Sequence, residues 1–172
     1  MDKIDGYEIQ KTILFETGHG FALGCSLGNP DRFAVWTFTE TAFGRDYYKK
    51  SILGSRESAE EVFRVRAGRY REIYGMAEKT GDGAEYYRYY STQRPVDIAT
   101  YPEPDGNRLV VFFNYDEDRR RPVAGGRLRA WGELTYRKPL PQAEVDAYEL
   151  VPAPVAGGAD TMMPRKEGNL CG

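Results

Sequence analysis

Through most of this chain bulky side chains recur at every second position in short runs, and Gly, Pro or Asn cuts each run off before it reaches helical length. A period of two fits strands and conflicts with a helical apolar stripe. Residues 7–15 (YEIQKTILF) set Tyr7, Ile9, Lys11 and Ile13 against Glu8, Gln10, Thr12 and Leu14. The stretch Glu16-Thr17-Gly18-His19-Gly20 then supplies a turn, since glycine takes positive φ freely. Residues 21–25 read as the return strand, and Asn29-Pro30-Asp31 marks the next turn. Residues 32–39 (RFAVWTFT) carry bulk on both faces, which predicts a central strand covered on both sides. Residues 45–53 predict a more exposed strand, and Lys49 and Lys50 suit a sheet edge because charge discourages further pairing.

One segment breaks the pattern. Over 57–78, Ala59, Val62, Phe63, Ala67, Tyr70, Ile73, Tyr74 and Ala77 recur at three- and four-residue spacing, an apolar stripe wide enough to dock on a sheet. Ser58 with Glu61 fits a capping box, and Ser55 competes as the N-cap. Gly68 inside the helix is expected to mark close approach to the sheet. Beyond Gly81-Asp82-Gly83 the period-two signal returns. Residues 85–92 carry four tyrosines, and 108–115 (RLVVFFNY) predict a core strand. Residues 127–138 predict one long amphipathic strand, with Leu128, Ala130, Gly132, Leu134 and Tyr136 inward and Arg127, Arg129, Trp131, Glu133, Thr135 and Arg137 outward. A short helix over 142–148 places Val145 and Tyr148 inward. From Val151 onward the chain turns rich in Pro, Gly and Ala without aromatics, too little apolar surface to order itself.

The expected fold class is therefore α+β: antiparallel β-sheet packed against one main amphipathic helix. The expected organisation is a single domain over 1–150 (N-terminal β-hairpins 7–53, helix 57–78, C-terminal β-rich half 85–140) and a flexible tail over 151–172. With 172 residues such a domain can bury a core without metal or disulfide staples. No apolar run reaches the roughly 18 residues that a membrane-spanning helix requires, and the N-terminus lacks the apolar stretch of a signal peptide. The two cysteines, Cys25 and Cys171, read as free thiols, and the expected location is cytoplasmic.

The chemistry-bearing residues are sparse. There is one histidine, His19, and it falls at the predicted hairpin tip. A catalytic Cys25 would need an activating base, for which His19 lies six residues away across the hairpin, but a small buried thiol after Gly24 at a strand end is the stronger reading. Gly18-His19-Gly20 has neither the lysine nor the following helix of a phosphate loop. Asp116-Glu117-Asp118 is followed at once by three arginines, which favours a self-paired charged loop over a metal site. Glu8, Glu85 and Glu133 are strand carboxylates whose convergence a sequence cannot display. The expectation is a chain without a cofactor, a metal or a catalytic residue.

What stands out instead is arginine beside aromatic residues, the pairing enriched at binding hot spots and suited to nucleic-acid backbones. The chain has 13 tyrosines, and the candidate contact residues are Tyr86, Arg88, Tyr90, Arg119, Arg120, Arg121, Arg127 and Arg129. The net charge of −2 lacks the global basic excess of a typical nucleic-acid binder, so a protein partner fits as well.

Four stretches carry a resemblance: Ile4-Asp5-Gly6-Tyr7-Glu8-Ile9 with Phe15 and residues 20–24; residues 36–39 with Gly44-Arg45-Asp46-Tyr47-Tyr48; residues 89–98; and Arg129-Ala130-Trp131-Gly132. Together they resemble accessory proteins of phages and conjugative elements, with domains associated with large polyvalent proteins, a context that includes anti-restriction and anti-CRISPR proteins. The resemblance implies a non-catalytic anti-defence protein that inhibits a host defence nuclease, such as a Cas9–guide RNA complex, by direct binding. Acidic side chains of Glu57, Glu60, Glu61 and 116–118 would be its phosphate mimics. The alternative is a nucleic-acid-binding module for conjugation or replication that uses the Tyr/Arg surface. A homo-oligomer through the strand edge near Tyr47 and Tyr48 is compatible with both.

Overall fold

The computed structural model describes residues 1–80, 85–94, 101–115 and 119–155. Eleven strands and two helices are present among them: β1 (Lys3–Ile4), β2 (Tyr7–Leu14), β3 (His19–Ser26), β4 (Phe33–Thr41), β5 (Gly44–Leu53), α1 (Arg56–Tyr74), β6 (Tyr87–Ser91), β7 (Leu109–Asn114), β8 (Arg121–Val123), β9 (Leu128–Ala130), β10 (Gly132–Tyr136), α2 (Gln142–Ala147) and β11 (Leu150–Pro152). The α+β expectation holds: the strands form mostly antiparallel sheets around one main helix.

The N-terminal half is a meander in chain order, β1-β2-β3-β4-β5. Short polar turns make this the cheapest solution, because each strand pairs with the one just before it. Asn29 builds the predicted turn by accepting the amide of Asp31 at 3.0 Å. β4 is buried along nearly its whole length, as a strand with bulk on both faces must be, and β5 lies at the edge. One face of this sheet meets α1 through Phe21, Leu23, Phe33, Val35, Ala59, Phe63, Ala67 and Tyr70. The other face is an aromatic cluster of Tyr7, Trp36, Phe38 and Tyr47. Lys50 and Arg45 lie over its rings, their ammonium and guanidinium groups 4.6 Å from Tyr7 and Phe38 respectively.

α1 begins at Ser55, whose Oγ accepts the amide of Ser58, so the competing cap is the real one. Gly75 ends it in the left-handed conformation at φ 61. Two expectations fail here. Gly68 does not approach the sheet, because a Cβ built there meets nothing within 4 Å. Ile73 is 69% exposed: with the stripe centred on Phe63 and Tyr70, it falls outside the arc that faces the sheet.

The C-terminal half is not sequential. Its sheet runs β11-β6-β10-β7, and β8 and β9 form a separate ribbon. The single strand expected over 127–138 is two, broken at Trp131, with β9 and β10 in different sheets. Gly132 allows the break: a Cβ there would sit 2.3 Å from the carbonyl oxygen of Phe113. The break changes what is inside. All five residues of β10 are buried, including Glu133 and Thr135, which the alternation placed on an outward face. Central strands are covered on both faces, so alternation does not report exposure there. Val151 and Pro152, expected to open the tail, complete β11, and the Ala153 amide donates to the Arg88 carbonyl. Residues 156–172, with Cys171, lie outside the described residues.

Candidate functional site

The predicted contact residues separate by burial into two regions. Arg88 and Tyr90 lie on β6 and point into the interior, with 9% and 0% exposure. Tyr86 is half-buried and packs against the helix-side core. Arg121 is half-buried, its guanidinium 4.1 Å from the ring centre of Tyr48 and 4.4 Å from that of Tyr115. It also donates to the Tyr47 carbonyl at 2.6 Å, tying the ribbon to β5. Arg119, Arg120, Arg127 and Arg129 remain exposed.

The interior region centres on Glu133, which is fully buried. Tyr115 donates its hydroxyl to Oε2 at 2.8 Å, and Thr39 donates to the same oxygen at 3.3 Å. Arg88 Nη1 donates to Oε1 at 3.4 Å, and its Nη2 donates to the Glu40 carbonyl. Gly18, at φ +82, makes room for that guanidinium: a Cβ there would lie 3.3 Å from Arg88 Cζ. His19 completes the cluster. Its Nδ1 lies 3.2 Å from Thr39 Oγ1, and its Nε2 lies 3.4 Å from Glu133 Oε1. That second contact is not a hydrogen bond, so Nε2 has no hydrogen-bond partner among the described residues.

This overturns the placement of His19 at a hairpin tip. It opens β3, is fully buried, and shares a strand face with Phe21 and Leu23. The strand also disposes of the Cys25 dyad, since six residues of extended chain separate the two by about 20 Å. Burial pushes the His19 pKa down to about 4; Glu133 opposes the shift, while Arg88 and Lys49 add to it. Burial also works against the charge on Glu133, but His19, Arg88 and the Tyr115 hydrogen bond outweigh it and hold the carboxyl below its ordinary value. At neutral pH His19 is uncharged, so Arg88 is the counter-charge that matters. Burial raises the Tyr48 and Tyr115 phenols far above their usual range, so both stay donors. The cluster joins β3 and β4 of one sheet to β6, β7 and β10 of the other, with Tyr115 just past the end of β7. Sealed from solvent, it can orient and lock strands, but it offers no open face to a reactant.

The exposed region surrounds Trp131, which is half-buried at the strand break. The guanidinium of Arg94 lies 5.6 Å from its ring centre and that of Arg120 lies 5.4 Å away. Arg129 donates to the Arg120 carbonyl at 3.3 Å. Arg127 covers the ring of Phe43 at 4.7 Å. Arg94 and Trp131 were not among the predicted contact residues; the fold brings Arg94 and Arg120 to the Trp131 ring from distant parts of the chain. Residues 116–118, on which the metal and phosphate-mimic readings fall, lie outside the described residues. Among the described residues no three acidic, His or Cys side chains are placed to hold a metal ion. No helix there is long and apolar enough to cross a membrane.

Residues 84–155 match the family model described as "Defence against restriction A C-terminal". The match supports an accessory protein of the anti-restriction type, as found in phages and mobile elements. It spans the whole second sheet, the β8–β9 ribbon and α2, and so contains every arginine around Trp131. Neither the curated proteins nor the solved structures compared with the chain give a match.

Proposed function

We propose that this chain is a non-catalytic anti-restriction protein that protects incoming DNA by binding a host defence nuclease. The observation that carries the reading is the coincidence of two features in one stretch. The segment similar to the defence-against-restriction family also carries Arg94 and Arg120 over the Trp131 ring, Arg129 bonded to the Arg120 carbonyl, and Arg127 over Phe43. Arginine and tryptophan in a partly desolvated cluster are the residues that carry most of the energy of a protein interface. The buried His19–Glu133 pair supports binding over chemistry, because a general base must reach its substrate. The alternative, a nucleic-acid accessory module, loses three of its eight proposed contact residues to the interior, namely Arg88, Tyr90 and the largely engaged Arg121.

The test is the plating efficiency of unmodified phage on hosts that carry restriction enzymes of several types or a Cas9-type nuclease, with and without the chain. Rescue on at least one host, together with co-purification of that nuclease, is the expected result. Absence of both rescue and binding across the panel contradicts the proposal. Anisotropy with labelled duplex and single-stranded DNA at two salt concentrations separates the alternative, since phosphate contacts must weaken as salt rises.

A further inference from the structure

Beside the Trp131 surface lies a cavity of about 310 Å³, walled by Tyr101, Phe112, Leu134, Ala147, Tyr148 and Leu150. The Tyr101 and Phe112 rings pack at 5.7 Å and 33°, and Leu134 and Leu150 are buried members of the same core cluster. At this size it falls at the small end of ligand sites and is comparable to one large side chain with its backbone. Its polar lining is Ser91, Gln93 and Arg94. Ser91 donates its hydroxyl to the Gln93 carbonyl at 2.6 Å, and the Gln93 amide nitrogen donates to Glu149 at 2.6 Å. Tyr101 and Tyr148 add phenol groups to walls that are otherwise rings and aliphatic side chains, a lining that suits an aromatic side chain with one polar edge. An apolar side chain needs only the rings and leucines. Arg94 links the cavity to the exposed surface, since its guanidinium also lies over Trp131.

We propose that this cavity receives an aromatic anchor side chain from the partner protein, and that carboxylates flanking the anchor engage Arg94, Arg120 and Arg129. This deepens the proposed function and rests on it for the identity of the partner as a protein. A hot-spot pocket of this kind combines a buried apolar anchor with a cationic rim. Burying an aromatic side chain is worth about tenfold or more in affinity.

The test is a titration followed by amide chemical shifts of the full chain with acetyl-Glu-Glu-Trp-Glu-Glu-amide. Two control peptides replace the tryptophan by alanine or the glutamates by lysines, and single-stranded oligothymidylate is a further probe. The expected result is saturable shifts at Gln93, Tyr101, Ala147 and Tyr148, with the alanine peptide about tenfold weaker or worse and the lysine peptide silent. Ala147→Trp, at an exposed position on the cavity wall, should abolish binding, and Arg94→Glu should weaken it severalfold, both with an otherwise native spectrum. The proposal is overturned if the alanine peptide binds as well, if Ala147→Trp binds normally, or if oligothymidylate moves the same resonances at lower concentration. Plating keeps the two proposals apart. If the cavity binds the peptide but the chain rescues no phage on any host, the functional reading fails and the cavity stands. If the chain rescues phage but Ala147→Trp rescues equally, the cavity fails and the functional reading stands.

Discussion

Arg88 and Arg129 sit on neighbouring stretches of the same half-molecule, yet they do opposite work. Arg88 is buried against Glu133, where its loss would leave a charge without a partner. Arg129 is exposed and donates to the Arg120 carbonyl. The difference lies in what covers each strand. β6 is paired on both edges, by β10 and β11, and faces the meander, so its polar side chains must find partners inside. The β8–β9 ribbon is two-stranded among the described residues; it engages Arg121 against β5 but leaves Arg127 and Arg129 exposed. Arginine is therefore structural where a sheet is closed over it and available for recognition where it is not.

The largest effect should come from the buried side. Glu133→Ala strands Arg88 in the interior and should cost about 3–5 kcal/mol in urea unfolding. A loss below about 1 kcal/mol would mean that Arg88 finds water and the interior cluster is not closed. Acid comes next. The His19 pKa lies below its unfolded value, so the unfolded chain takes up the proton first as pH falls from 6.5 toward 4. Stability should drop by on the order of 2–3 kcal/mol across that window. Glu133 adds to the loss lower down, because its carboxyl is held below the ordinary 4.5 in the folded state and the unfolded chain takes up that proton first. Replacing His19 with a residue that does not titrate should flatten the upper part of the curve.

Two glycines extend the contrast between closed and open places. Gly132→Ala drives a Cβ to 2.3 Å from a backbone oxygen and should cost about 1–3 kcal/mol. Gly68→Ala meets open space on a helix and should stabilise by about 0.5–1 kcal/mol, read as a rise in Tm. The smallest stability effects belong to the surface. Arg120→Ala and Arg129→Ala should each stay within about 0.5 kcal/mol of the parent.

How legible this was in the sequence depends on the place. The meander and α1 could be read because each apolar period is local and each turn carries its own chemistry, as at Asn29 and Ser55. The second sheet could not, because its order depends on which distant strands pair, and the interruption at Trp131 shows only as a glycine within an unbroken alternation. His19 was hidden by its flanking glycines, which suggest a turn; carrying the period of Phe21 and Leu23 two residues back would have placed it inside. Glu133 had no such signal. Its burial follows from the other sheet lying across β10, which local pattern does not encode. The exposed arginines were visible as a set, but the approach of Arg94 and Arg120 to Trp131 depends on the tertiary fold.

The division between structural and recognition arginines is tested most directly by one charge-reversal variant, Arg120→Glu with Arg129→Glu, carried through both assays. Urea unfolding should match the parent within about 1 kcal/mol, while plating of unmodified phage on the rescued host falls to the level seen without the chain. Full rescue by that variant, with its fold intact, would contradict the assignment of this surface to the partner.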